Sequence, residues 1–216
     1  MSQSDSKVMN RFKILSLLVI TLCFSAVTNV SALVITYSSE VNSFIDFDGA
    51  GNFNFTPSAN SFHITSGTAA GLLGDMSGTF SIGAITTSGG MSTAPVTGTG
   101  TFVIHDGSSD LTGTLVWVSI GQLGTFDGLN ITGNVNLTGI TYSGSNADLL
   151  AMAAVGSGID TLSFQFTTTV SLADLTTSSH DTSFSGSIEV PDGGLTVATL
   201  GFALVSVEGF RRKLRK

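Results

Sequence analysis

Apolar residues alternate with Thr, Ser and Gly along most of the chain, at the period of two that is typical of β-strands. Ile45 and Phe47 share one parity, and so do Phe53 and Phe55 after the turn at residues 48–51. This pattern predicts a hairpin with a four-residue loop and one apolar face.

The same alternation continues through the rest of the chain and predicts further short strands. Their apolar positions are Phe62 and Ile64, Phe80 and Ile82, Phe102 and Ile104, Leu162 to Phe166, and Phe184 to Val190. Residues 89–95, rich in Gly, Ser and Thr, are predicted to be a loop. Residues 115–120 are apolar on both parities, which predicts a central strand covered on both faces.

Two local features interrupt the alternation. The parity of the apolar positions changes at Thr138-Gly139, where one extra residue in a strand predicts a β-bulge. Asn146 is a good amino-terminal cap for a helix over residues 147–155, which Gly156 ends. Residues 172–175 predict a further single turn.

Many short strands, little helix and no alternation of strands with helices predict an all-β fold. We expect an antiparallel β-sandwich, jelly-roll-like, with one short helix, over residues 33–189.

The amino-terminal segment has the composition of a secretory signal. Lys7, Arg11 and Lys13 precede the apolar residues 14–24, and residues 30–32 are small or β-branched. We expect residues 1–32 to be a signal peptide that signal peptidase cleaves after Ala32. The alternative is an uncleaved membrane anchor.

The carboxyl-terminal segment also reads as a targeting signal. Residues 195–210 are mostly apolar, with Glu208 as their only charged side chain, and the stretch is barely long enough to cross a bilayer. Residues 211–216, five of which are Lys or Arg, would stay on the cytoplasmic side. A plain single-span tail anchor is the alternative.

The order of these carboxyl-terminal parts resembles the PEP-CTERM class of bacterial sorting signals. Val190-Pro191-Asp192-Gly193-Gly194, an apolar span and a basic end are similar to its VPDSG-CTERM variant. The resemblance implies Sec export, transient retention in the inner membrane, and cleavage by an exosortase. It makes Val190, Pro191, Asp192, Gly193 and Gly194 the sorting motif.

The distribution of charge limits what the body can do. All eight Lys and Arg lie outside residues 33–189. Nucleic-acid binding and phosphate-binding loops are therefore excluded, because both need basic side chains. Cys23, the only cysteine, lies in the predicted signal, so the body has no disulfide and no thiolate nucleophile.

Several patterns could carry chemistry, and each also has a structural interpretation. Residues 46–52 loosely resemble a calcium loop, but Asp48-Gly49 is also good turn chemistry. His105-Asp106 with Asp110 could be a base held by a carboxylate, or a polar turn.

Other motifs are weaker. His63 and His180 share no metal-ligand spacing with His105, and no nucleophile elbow is present. We predict no metal and no cofactor. Asn54, Asn130 and Asn136 match the N-glycosylation pattern, which matters only in a host that modifies it.

Our leading hypothesis is an exported, non-enzymatic protein of the cell surface or biofilm matrix. Its expected partners are signal peptidase, exosortase, the inner membrane during export, and extracellular polysaccharide. The first alternative is a carbohydrate-binding module, with Trp117, Tyr37 and Tyr142 as the aromatic residues on offer. The second is a secreted glycosidase-like enzyme, because paired carboxylates can be brought together by folding.

Overall fold

Twelve antiparallel β-strands and one short helix make up the part of the chain that the computed structural model describes, residues 32–123 and 128–191. The strands are β1 (Leu33–Ser39), β2 (Ile45–Asp48), β3 (Asn52–Phe55), β4 (Phe62–Ile64), β5 (Leu73–Ile82), β6 (Thr86–Ser88), β7 (Met91–Thr97), β8 (Thr99–His105), β9 (Asp110–Leu123), β10 (Gly128–Thr141), β11 (Ser157–Val170) and β12 (Ser179–Val190). The helix α1 is Ala147–Val155, and one 3₁₀ turn is Asp174–Thr176. The predicted all-β class with one short helix is confirmed.

Several predicted segments lie outside the described residues. They are the signal peptide before Ala32, the motif residues Asp192, Gly193 and Gly194, the apolar span 195–210 and the basic tail 211–216. Among residues 32–123 and 128–191, no helix has the length and apolar character needed to cross a membrane.

The strand pairings form a closed ring. The long strands β5, β9, β10, β11 and β12 run through its full height, and shorter strands follow one another between them. Near one end, β1 and β4 lie between β12 and β5, and β8 lies between β5 and β9. Near the other end, β2 and β3 replace β1 and β4, and β7 replaces β8. Pairing of the first strand with the last closes the circuit.

The order of strands around the ring corrects the predicted jelly-roll topology. In a jelly roll, built from Greek keys, long connections return the chain to pair strands that are distant in sequence. Here the strands at each end of the ring follow one another in chain order, and the pairing of β12 with β1 and β2 joins the start of the body to its end. Pairs such as β1–β4, β5–β8 and β7–β9 skip only strands that lie at the opposite end of the ring.

One apolar interior fills the ring. Inward side chains on the strands are large and fully buried; they include Tyr37, Phe47, Phe53, Phe62, Phe80, Phe102 and Phe164. The rings of Phe53 on β3 and Trp117 on β9 meet edge to face, with centroids 4.8 Å apart. Leu149 and Met152 of α1 add to this core, as do Leu172, which precedes the 3₁₀ turn, and Leu175, which lies in it.

Glycines at inward positions make room for the largest rings. A Cβ at Gly133 would collide with the indole of Trp117, and one at Gly186 would collide with the phenol of Tyr37. Because these two glycines have no side chain, they leave space in the interior for the rings of Trp117 and Tyr37.

Most local predictions agree with the structure. The hairpin of β2 and β3 forms with Ile45 opposite Phe55. The register shifts between Thr138 and Thr141, with Gly139 at φ 62°, so the predicted bulge is confirmed. Helix α1 has the predicted bounds and caps.

Two local predictions are wrong. Residues 89–95 are not a loop, since β7 runs from Met91 and pairs with β9. Its inward side chains, Ala94 and Val96, are small, so the alternation there is faint.

Residues 115–120 are not covered on both faces, since Trp117 is 3% exposed and Val118 is 47% exposed. The ring has only one apolar side, and Val118 is the extra residue where the pairing with β10 shifts.

Candidate functional site

Both ends of the described body leave the ring at one place. Leu33, the first residue of β1, pairs with Val190, the last residue of β12. The predicted cleavage point after Ala32 and the start of the predicted sorting motif are therefore neighbours.

Val190 differs from the rest of the predicted motif because it belongs to the body. Its side chain is 3% exposed and forms part of the apolar core. Pro191 follows, is exposed, and has no N–H to continue a ladder. Within the described residues, the accessible part of the motif thus begins at Pro191.

The loop predicted as either a calcium site or a turn is held by its own hydrogen bonds. Asp48 Oδ1 accepts from the backbone N–H groups of Ala50 (2.7 Å) and Asn52 (2.9 Å), and Oδ2 accepts from Asn52 Nδ2 (2.8 Å). These hydrogen bonds lower the pKa of Asp48. The bond from the Asn52 side chain has the largest effect, and those from the backbone N–H groups follow. Both carboxylate oxygens therefore serve the turn.

The carboxylates near His105 are likewise engaged in local structure. His105 Nδ1 lies 2.8 Å from Asp110 Oδ1, and both side chains are well exposed. Asp106 accepts from the N–H groups of Ser108 and Ser109 and from the Tyr142 hydroxyl. These bonds hold the pKa of Asp106 well below its usual range. The bond from the Tyr142 hydroxyl has the largest effect, and the bonds from the two backbone N–H groups follow.

The three histidines do not come together. His63 lies on β4 with Nδ1 2.6 Å from Glu40 Oε1, and His105 is separated from it by β5. His180 packs edge-on against the ring of Phe166. Within residues 32–123 and 128–191, no three His, Cys, Asp or Glu side chains are grouped so that they could hold a metal ion.

The aromatic residues considered for sugar stacking are not on the surface. Trp117 and Tyr37 are buried in the core, and Tyr142 is half-buried and bound to Asp106. They form no exposed platform. Of the glycosylation motifs, Asn136 is exposed and Asn54 is half-buried, while the side chain of Asn130 lies outside the description.

A buried acid in the core is a feature that the sequence reasoning missed. Asp160 is fully buried, and the Tyr37 hydroxyl lies 2.9 Å from its Oδ1 and 2.8 Å from its Oδ2. Burial raises the pKa of Asp160 to about 7. Burial, then the charge of Asp160, raises the pKa of Tyr37 well above its usual value. The sequence does contain a signal for this burial, because Asp160 has the same parity as Leu162 and Phe164, which face the interior.

A groove opens on the outer surface where β12 changes its partner. Ser185 of β12 pairs with Ser38 of β1, and Thr182 pairs with Ile45 of β2. Residues 40–44, which connect β1 to β2, line the space between these two pairings. The space left above Ser183 and Phe184 has a volume of about 430 Å³.

Comparison with known proteins identifies no relative of this chain. It matches no protein-family model, no curated protein and no solved structure. Its function has to be inferred from its own residues.

Proposed function

We propose that this chain is an exported, non-enzymatic protein of the cell surface or extracellular matrix, delivered by exosortase sorting. In this proposal signal peptidase cleaves after Ala32, and residues 195–210 hold the chain in the inner membrane. The enzyme then recognises the motif that begins at Val190 and releases the body.

One observation carries the proposal: the folded body fits between the two proposed processing sites. Leu33 and Val190 are the first and last residues of the ring and pair with each other. Removal of the segments on either side would leave every strand pairing of the ring in place. A protein that loses both ends during delivery needs this arrangement.

The character of the body supports a structural role. Its interior is filled with apolar side chains. The carboxylates of Asp48, Asp106 and Asp174 accept hydrogen bonds from neighbouring turn residues. These groups stabilise loops, which suits a protein whose task is to persist outside the cell.

The finer architecture also belongs to the proposal. We expect the ring to be flattened so that it resembles the two layers of a sandwich. The contact between Phe53 and Trp117, whose strands lie on different parts of the ring, supports this shape.

The test is the intact mass of the protein released from the producing cells. We expect a product that starts at Leu33 and ends within a few residues of Pro191. The same cells without their exosortase should retain the tail. Full-length tails on released protein would contradict the proposal.

A pair of substitutions separates sorting from folding. Pro191→Ala should impair release but leave the melting temperature unchanged, since Pro191 is exposed and lies beyond the last strand. Val190→Ala should instead destabilise the body by about 1–3 kcal/mol, because it removes buried methyl groups. Normal release of the Pro191 variant would count against recognition at this motif.

A further inference from the structure

The groove above Ser183 and Phe184 has a rigid wall. Glu40 N–H donates to Ser61 O (2.9 Å), and Ser43 N–H donates to Glu40 O (3.1 Å). At the other end of the wall, Thr56 N–H donates to Phe44 O (2.9 Å). Asn42 takes the left-handed conformation (φ 66°), which asparagine tolerates better than most residues. A ligand would therefore meet a surface whose shape is already formed, which lowers the entropy cost of binding.

The lining combines neutral hydrogen-bonding groups with apolar surface. Exposed Ser183 and Gln165 contribute a hydroxyl and an amide, and Asn42 contributes a second amide. Phe44, half-buried, and Val41, 86% exposed, contribute apolar surface. A pyranose ring presents the complementary pattern, with hydroxyl groups at its edge and C–H groups on its faces.

A row of hydroxyl side chains continues from the groove across the outer face. Ser38, Ser185, Ser163 and Thr132 lie opposite one another on the adjacent strands β1, β12, β11 and β10. Neighbouring strands are about 4.8 Å apart, so the row spans about 14 Å. That length suits several linked sugar units better than one small molecule.

Charge restricts the kind of sugar. Residues 33–189 contain no Lys or Arg, so the body offers neither of these side chains to a carboxylate, sulfate or phosphate on a ligand. Glu40 lines the groove with its Oε1 2.6 Å from His63 Nδ1, and the negative charge of its carboxylate would repel such groups.

We propose that the groove and this row of hydroxyls bind a neutral polysaccharide, and that they select against polymers carrying uronate or other anionic groups. The polymer as partner rests on the proposed matrix role, whereas the groove and its chemistry do not depend on how the chain is sorted. Binding and release can therefore fail independently of each other.

The test measures binding of hexasaccharides to the full chain in mild detergent by titration calorimetry. The probes are a β-linked glucose hexamer, an N-acetylglucosamine hexamer and a mannuronate hexamer. We expect at least one neutral hexamer to bind, and the mannuronate hexamer to bind at least about tenfold more weakly than it. Glu40→Gln should narrow that difference.

Substitutions locate the site. Gln165→Ala removes one amide, and Ser183→Leu fills the groove, so each should weaken binding about tenfold, the loss expected for one ligand contact. Thr114→Leu, at an exposed hydroxyl position on β9 away from the groove, is the matched control and should bind normally. Melting temperatures would confirm that each variant is folded.

Three results would overturn the proposal. These are failure of both neutral hexamers to bind, equal or tighter binding of the mannuronate hexamer, and normal binding by the folded Ser183→Leu variant.

Discussion

The core holds an acid that has no basic partner, and this makes the stability of the ring sensitive to pH. Asp160 is fully buried beside the Tyr37 hydroxyl, and no Lys or Arg occurs in residues 33–189 to neutralise it. Burying a carboxylate in these surroundings is costly, so folding favours the protonated acid.

We predict that this acid makes the body more stable in mild acid than at neutral pH. The pKa of Asp160 is raised to about 7 in the folded state, against about 3.9 in an unfolded chain. Its contribution is therefore complete below pH 4 and is lost as the pH rises through 7. The loss is on the order of 4 kcal/mol. Denaturation of the full chain at pH 4.5 and pH 8 measures it.

Asp160→Asn isolates this contribution. Asparagine keeps the shape and can still bond to Tyr37, but it does not titrate. The difference in unfolding free energy between pH 4.5 and pH 8 should shrink in this variant. Asp181→Asn, at an exposed position on β12, is the control. An unchanged pH dependence in Asp160→Asn would show that Asp160 is not the source.

We also predict that position 186, where glycine leaves space for the Tyr37 ring, does not tolerate a methyl group. In Gly186→Ala the new Cβ would collide with the phenol and displace its hydroxyl from Asp160. The expected cost is about 1–3 kcal/mol, as for overpacking in other cores. The control is Ser187→Ala, at the neighbouring residue, whose side chain faces outward. It should change the melting temperature little. Equal stability of the two variants would contradict the steric argument.

At the scale of the elements, the start of α1 is tied to another part of the chain. Asn146 Oδ1 accepts from the N–H groups of Asp148 and Leu149, and Asn146 Nδ2 donates to Thr68 O (3.0 Å). Asp148 accepts from the backbone N–H of Thr68 (2.5 Å). The cap thus joins the helix to the β4–β5 connection.

Asn146→Ala should therefore cost more than loss of an ordinary cap. Loss of the cap alone destabilises by about 1 kcal/mol, and the lost bond to Thr68 adds to it, for a total of about 2 kcal/mol. Chemical denaturation measures the change, with Ser145→Ala at an exposed neighbouring position as the control. A loss no larger than that of the control would show that the cap does not hold the helix in place.

Local chemistry accounts for which elements could be predicted. Asn146, Gly156 and the parity change at Gly139 act over a few residues, so the helix and the bulge can be read from the sequence. β7 was missed because its inward residues are small. Val118 is exposed because the sheet has an apolar interior on one side only, and which sides of the sheet are covered is a property of the complete ring.

At the scale of the whole molecule, the features that decide function arise from distant contacts. The groove exists because β12 pairs with β1 and then with β2, and Asp160 meets Tyr37 from the other half of the chain. Sequence periodicity predicts strands but not which strand lies beside which. The proposed sorting motif needs no such contacts, because its resemblance rests on residues 190–194, the apolar span and the basic end following one another along the sequence.

The pairing of the first strand with the last also determines when the body can fold. A chain made from its amino terminus delivers β12 last, so the ring stays open until Val190 is available. Until then the outer edges of β1 and β11 lack their partner and can pair with another copy of the chain. Closing a contact between such distant residues is slow. The time between synthesis of β1 and arrival of β12 is thus the period in which this protein is most prone to aggregate.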